Sequence, residues 1–204
     1  MLVKYWMRKD FVTVDIDDSM QDALTLMKEH KVAMLPVMRK GELVGVVTDR
    51  DLKRASASDA TTLDIHELIY LLSKIKIGEI MSKNPVTVPP DYTIEEAASV
   101  MLKHDISGAP VVDKEGRVLG LVTKQEMFKA LISLSGLERR GVQFAFQLED
   151  NPGSIKEVTD IIRNHGCRLV SILTSYERAP VGYRHVYVRA HSVDRLDVPK
   201  LLDE

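Results

Sequence analysis

The chain uses the same stretch of sequence twice. Thr13-Val14 recurs as Thr87-Val88, Ala23 as Ala97, Met27 as Met101, His30 as His104 and Pro36 as Pro110, each pair 74 positions apart. After one extra residue in the turn Asp113-Lys114-Glu115-Gly116 the spacing becomes 75, as in Gly45 and Gly120 or Thr48 and Thr123. An ordered series of matches across a whole unit marks a duplicated supersecondary structure, and it limits the folds open to the chain.

Each copy reads as β-α-β-β-α. In the first, Phe11 to Val14 is a short strand and Asp17-Asp18-Ser19 offers helix N-caps. Met20, Ala23, Leu24 and Met27 then fall on one apolar helical face. Val32 to Met38 is a β-branched and apolar strand, Lys40-Gly41-Glu42 a hairpin turn, and Leu43 to Thr48 the returning strand. The second copy repeats the order with Pro85 to Val88, a helix carrying Ile94, Ala97, Ala98 and Met101, and strands at 106–112 and 118–123. One copy alone leaves a sheet face bare, so the two are expected to pack sheet to sheet.

The expected boundaries are 1–53 for the first repeat, 79–132 for the second and 54–78 for the connection. In that connection Ala55 to Thr62 is small and polar, and Ile65 to Leu72 is an apolar helix that covers the core. A linker at 133–140 leads into a different pattern over 141–204. There an alternating strand, Gly141 to Leu148, is followed by the turn Glu149 to Gly153. A helix with Ile155, Val158, Ile161 and Ile162 on one face ends at Gly166, a left-handed C-cap position. Strands at 168–175 and 183–190 and a helix from Val193 to Leu202 complete a βαββα run, one strand short of a closed pattern.

Composition removes several functions. A net charge of −2 and a pI near 6.3 give no electrostatic reason to bind nucleic acid or anionic lipid. No apolar run approaches the roughly 20 residues of a membrane span. The segment Met1 to Asp10 has no apolar core of a secretory signal. The single cysteine, Cys167, cannot form an intramolecular disulfide and suits a reducing compartment. A cytoplasmic, soluble protein is expected.

Two short segments carry the chemistry: Gly45-Val46-Val47-Thr48-Asp49-Arg50-Asp51 and Gly120-Leu121-Val122-Thr123-Lys124-Gln125-Glu126. Each places a hydroxyl at the end of a strand and a carboxylate three residues later. That spacing is also a helix capping box, so the pairs Thr48/Asp51 and Thr123/Glu126 have a purely structural reading too. Enzymatic signals are weak. The six histidines show no metal spacing, no glycine-rich phosphate loop occurs, and Cys167 sits at an apolar strand entry, where it reads as core.

With its T-V openings, A-x-x-x-M helices, P-V strands and G-h-h-T-x-x-[D/E] closes (h apolar), the segment 7–132 resembles the CBS-domain family, two repeats forming one paired module. The D-x-P-G turn and the entry His165-Gly166-Cys167-Arg168-Leu169-Val170 make 141–204 resemble an ACT domain. The order is similar to bacterial CBS-plus-ACT proteins of the acetoin-utilisation type. The resemblance implies an α+β fold: a CBS pair with packed sheets, then a smaller ferredoxin-like ACT domain.

It also implies a regulatory role for an adenosyl ligand (AMP, ADP, ATP or S-adenosylmethionine), with no required cofactor, no metal and no catalysis. Thr48 and Thr123 would hydrogen-bond a phosphate or other polar group, and Asp51 and Glu126 would accept from ribose hydroxyls. Adenine would lie against Val32, Ala33 and Pro36 on one side and Ile106, Ser107 and Pro110 on the other. Thr13 and Thr87 would add contacts, and Arg50 and Lys124 would supply charge. In the nucleotide-sensing subunit of AMP-activated kinase the matching middle strand carries basic phosphate ligands; Ala33-Met34 and Ser107-Gly108 stand here instead, which disfavours a triphosphate. For the apolar positions, core packing is the competing role. The shorter carboxylate makes the Thr48/Asp51 cleft the fuller of the two. The loop Asp150, Asn151, Pro152, Gly153 would hold an amino acid, or is simply a turn in which Ser154 or Asn151 caps the helix. Homodimerisation and an unidentified regulated protein complete the expectation. Its rival is a scaffold whose ligand sites are vestigial.

Overall fold

The computed structural model describes residues 1–57 and 65–192. The expected helix at 193–202 and residues 58–62 of the connection lie outside the described residues. The chain divides into two compact units, Met1–Met127 and Phe128–Glu204.

The first unit runs α1 (Val3–Trp6), β1 (Val14–Asp15), α2 (Met20–His30), β2 (Met34–Arg39), β3 (Glu42–Thr48), α3 (Asp49–Ala57), α4 (Ile65–Lys74), α5 (Ile77–Ile80), β4 (Ser82–Lys83), α6 (Ile94–Lys103), β5 (Gly108–Val112), β6 (Val118–Thr123) and the start of α7 (Lys124–Ser135). Helix α2 begins where sequence places it. Ser19 accepts from the Asp22 amide while the Asp22 carboxylate accepts from Ser19, a reciprocal pair that holds the Asp22 carboxyl below its ordinary pKa. Thr93 and Glu96 cap α6 in the same way. Met20, Ala23 and Met27 of α2 and Ile94, Ala97 and Met101 of α6 are buried, the faces expected from periodicity. Lys40 and Gly41 both take positive φ (49° and 87°), as the tight turn between β2 and β3 requires.

The strands form one sheet in the order β1-β2-β3-β4 and a second from β5 and β6. The two opening strands are much shorter than expected. Phe11 to Val14 contributes only Val14, and Pro85 to Val88 reduces to a single bridge between Val88 and Val111. The reason lies just upstream. Arg8 is already bonded to Leu121 of β6, so the residues after it carry the chain across to Val14 beside Val37. Likewise Lys83 pairs with Gly45 before the chain crosses to Val88. Pro85, Pro89 and Pro90 also remove amide donors around Val88.

Those upstream segments extend the duplication. Val3 and Ile77, and Met7 and Met81, also stand 74 positions apart, so α1 and α5 are equivalent lead-ins. Each docks on the opposite repeat. The Val3 amide donates to Tyr92 and the Ile94 amide to Met1, whereas Ile77 and Gly78 donate to Asp18 and Ile16. Val3 and Ile77 are both fully buried. The lead-in then borders the other repeat's returning strand, Ser82 against Val46 and Arg8 against Leu121. This contact accounts for both glycines of the repeated motif. A Cβ on Gly45 would meet the Met81 sulfur at 2.6 Å; one on Gly120 would meet the Arg8 carbonyl at 2.6 Å.

The core of the first repeat gathers Val14, Met20, Leu35, Val37, Val47, Leu52 and Ile77. Leu72 of α4 joins it, so this helix covers the core as expected.

The second unit contains the rest of α7, a 3₁₀ turn (Leu137–Arg139), β7 (Val142–Glu149), α8 (Ser154–Asn164), β8 (Cys167–Ser175) and β9 (Tyr183–Ser192). Its sheet is antiparallel with the order β7-β9-β8. Phe144, Val186, Val188 and Ala190 are buried together with Ile162 of α8. Alternation along β7 therefore points its apolar residues at the helix. Gly166 has φ 73°, the left-handed conformation expected after α8. The start of α8 departs from expectation. Its N-cap is Gly153 with φ 100° and no side-chain cap, because Ser154 donates back to the Asn151 carbonyl and Asn151 to Glu149. Cys167 lies in the core, where burial raises its thiol pKa.

Candidate functional site

The two motif turns have the same skeleton. The Asp49 amide donates to the Ala33 carbonyl and the Lys124 amide to the Ser107 carbonyl, both at 3.0 Å. Each turn thereby ties the start of a helix to the residue before the opposite strand of its own hairpin. At the first turn, the Thr48 hydroxyl and amide donate to Asp51 Oδ2 at 2.6 and 3.0 Å, and the Asp51 amide donates back to Thr48 Oγ1 at 3.3 Å. Asp51 Oδ1 takes Arg54 at 3.1 Å. At the second, the Thr123 hydroxyl and amide donate to Glu126 Oε2 at 2.5 and 3.0 Å, while Thr123 Oγ1 accepts from Gln125. Asp51 and Glu126 are only 8% and 4% exposed, so both carboxylates are held in place by their own turns.

A cavity of about 270 Å³ opens beside the second turn. One wall is Lys31, Val32, Ala33 and Met34 from the first repeat; another is Ser107 and Gly108 from the second. Thr123, Lys124, Gln125 and Glu126 form its floor, and Arg8 and Leu121 close a side. Gly108 keeps this junction narrow, since a Cβ there would lie 3.1 Å from the Met34 methyl. The volume falls slightly below the range of small-molecule sites.

Of the residues singled out from sequence, Val32, Ala33, Ser107, Thr123, Lys124 and Glu126 meet around this cavity. Thr48, Arg50 and Asp51 form the other turn and do not line it. Ile106 adjoins Ser107 without lining the cavity, Pro36 and Pro110 are buried within β2 and β5, and Thr13 and Thr87 are exposed outside it. Arg8, Lys31, Met34, Gly108, Leu121 and Gln125 were not singled out. Extending the 74-residue spacing back to Met7 and Met81 would have brought Arg8 into view.

In the second unit, Asp150 of the proposed amino-acid loop faces Arg184 Nη1 at 3.4 Å and accepts from the Tyr176 hydroxyl at 3.3 Å. Arg184 also donates to Ser154. Asn151, Pro152 and Gly153 are exposed. Among the described residues no group of three or more His, Cys, Asp or Glu side chains could hold a metal ion, and no helix is long and apolar enough to cross a membrane.

Residues 3–58 and 77–133, more than half of the chain, match the CBS-domain family model. The chain belongs to the CBS-domain family. A CBS domain-containing protein of Dictyostelium discoideum is 34% identical over 135 residues, which are 66% of this chain and 93% of that protein. The inosine-5'-monophosphate dehydrogenase of Korarchaeum cryptofilum is 35% identical over 120 residues, covering 59% of this chain and only 22% of the enzyme. Among solved structures, the CBS domain pair of protein MJ0100 in complex with 5'-methylthioadenosine and S-adenosyl-L-methionine is 31% identical, with a TM-score of 0.55 over 64% of this chain and 99% of that one. CBSX2 of Arabidopsis thaliana in complex with AMP is 29% identical, with a TM-score of 0.54 over 68% and 98%. The matched residues cover most of the first unit and run six residues into the second.

Proposed function

We propose that this protein is a regulatory sensor that binds an adenosyl-containing small molecule in the cleft beside Thr123. One observation carries the reading: the cavity joins Val32 to Met34 with Ser107, Gly108 and the Thr123–Glu126 turn, apolar walls around hydroxyl and carboxylate groups. Solved CBS pairs with about 30% identity hold AMP, 5'-methylthioadenosine or S-adenosylmethionine, which supports the ligand class. The module works by binding. Ligand affinity that differs between two packings of the repeats shifts their populations, and a regulated partner reads the shift. Residues 141–192 fit an ACT-like domain by the sheet order β7-β9-β8, and in this reading they supply a dimerisation surface or an amino-acid site at Asp150–Gly153 in a cytoplasmic homodimer.

The scaffold reading has one observation in its favour: both oxygens of Asp51 are engaged within its own turn and by Arg54. Calorimetry with AMP, ADP, ATP, S-adenosylmethionine and NAD separates the two. At least one compound is expected to bind at roughly micromolar Kd. Glu126→Ala should weaken it about tenfold, as loss of a charged hydrogen-bond acceptor does, and Thr48→Ala with Asp51→Ala should not. No binding by any of the five leaves the scaffold reading standing.

A further inference from the structure

The two motif turns share a backbone but differ in the charge around them. Lys31 ends α2 in the left-handed conformation at φ 51°, and its counterpart Asp105 follows α6 at φ 49°. Lys124, whose amide meets Ser107, corresponds to Asp49, whose amide meets Ala33. Arg8, bridged to Leu121, corresponds to Ser82, bridged to Val46. Three cations therefore border the cavity at Thr123 beside one carboxylate, Glu126. The equivalent positions at Thr48 carry Asp49, Asp51 and Asp105, against the single cation Arg50.

Ion pairs do not erase the difference. Arg8 Nε lies 3.3 Å from Asp10, which offsets one cation on the second side. Lys53 and Arg54 pair with Asp49 and Asp51 and bring the first side near neutrality. Lys31 and Lys124 still leave the second side net positive. A concave site of one sign concentrates ligands of the other, within a Debye length of about 8 Å at physiological salt.

We infer that Lys31 and Lys124 make the Thr123 cleft selective for a phosphorylated adenosyl ligand over a neutral or sulfonium one, and that the Thr48 side does not share this preference. The inference rests on the adenosyl reading and narrows it. Lys31 and Lys124 act as specificity determinants: a nucleoside monophosphate gains their attraction, methylthioadenosine gains nothing, and the sulfonium of S-adenosylmethionine is repelled.

The test is calorimetric titration of the full chain with AMP, adenosine, 5'-methylthioadenosine and S-adenosylmethionine, in low and in physiological salt. AMP should bind at least about tenfold more tightly than adenosine, with the margin shrinking as salt rises. The double change Lys31→Asp and Lys124→Asp, which installs the first side's charges, should remove that margin by weakening AMP more than adenosine. Lys31→Ala with Lys124→Ala should give an intermediate ratio, and Asp105→Ala should leave the ratio where it was. Adenosine or S-adenosylmethionine binding as tightly as AMP overturns the charge assignment alone, as does an equal loss of all four ligands in the lysine variants. Failure of every adenosyl compound to bind the unaltered protein overturns the adenosyl reading and this inference with it.

Discussion

Gly45 and Gly120 show how one residue type can be required for two unequal reasons. At both, a side chain would strike the lead-in of the other repeat, but the atoms met differ. Gly45 faces the flexible end of Met81 first, whereas Gly120 faces the Arg8 carbonyl, backbone held by paired hydrogen bonds to Leu121. Overpacking of this kind costs about 1–3 kcal/mol, and more where the neighbour cannot move. Gly120→Ala should therefore destabilise more than Gly45→Ala in denaturant unfolding. Met81→Ala should partly rescue Gly45→Ala, while Met7→Ala leaves Gly120→Ala unrescued; additive costs in the first pair would contradict the contact. The motif was legible in sequence but its glycine was not explained there, because the atom it avoids is 36 residues downstream in one copy and 112 upstream in the other.

At the scale of elements, the duplication made most of the first unit legible. Helix faces, hairpins and caps all follow from periodicity and from short polar signals such as Ser19-x-x-Asp22. The opening strands are shorter than their composition suggests: Val12-Thr13-Val14 and Val86-Thr87-Val88 have strand composition, yet their chain is spent crossing between sheets. The lead-ins are not legible in sequence, because Val3–Trp6 and Ile77–Ile80 agree only at buried positions and four residues carry little periodic signal. Their docking is reciprocal, so its loss should be selective. Removal of residues 1–8 takes away buried Val3, worth about 1.5–3 kcal/mol, and the Arg8 bridge on β6. Hydrogen exchange should then show β5 and β6 amides losing protection while β2 and β3 keep theirs. Uniform loss across the four strands would mean that the repeats open as one.

For the whole molecule, the sequence indicated two kinds of unit and a ligand cleft between the repeats, with the Thr48/Asp51 turn as the fuller one; the cavity described above lies beside the other turn. Asp51 is the shorter carboxylate and completes the better motif, so chemistry at one position favoured the first turn. The cavity beside Thr123 is bordered by Arg8, Lys31 and Gly108, residues from three separate segments that no local pattern links. Ligand at 100 times its Kd stabilises the state that binds it by about 2.7 kcal/mol. Protection of β5 and β6 amides should rise accordingly on ligand addition, and exchange rates that stay unchanged at saturation would count against binding there.

The exchanged lead-ins bear on how the CBS pair is held together. Each repeat closes the sheet edge of its neighbour, so neither is a finished object alone, and a single copy would expose Gly45 or Gly120 beside a vacant groove. A chain cut between residues 57 and 65 would yield fragments each holding a piece the other lacks, and such fragments have reason to find one another again.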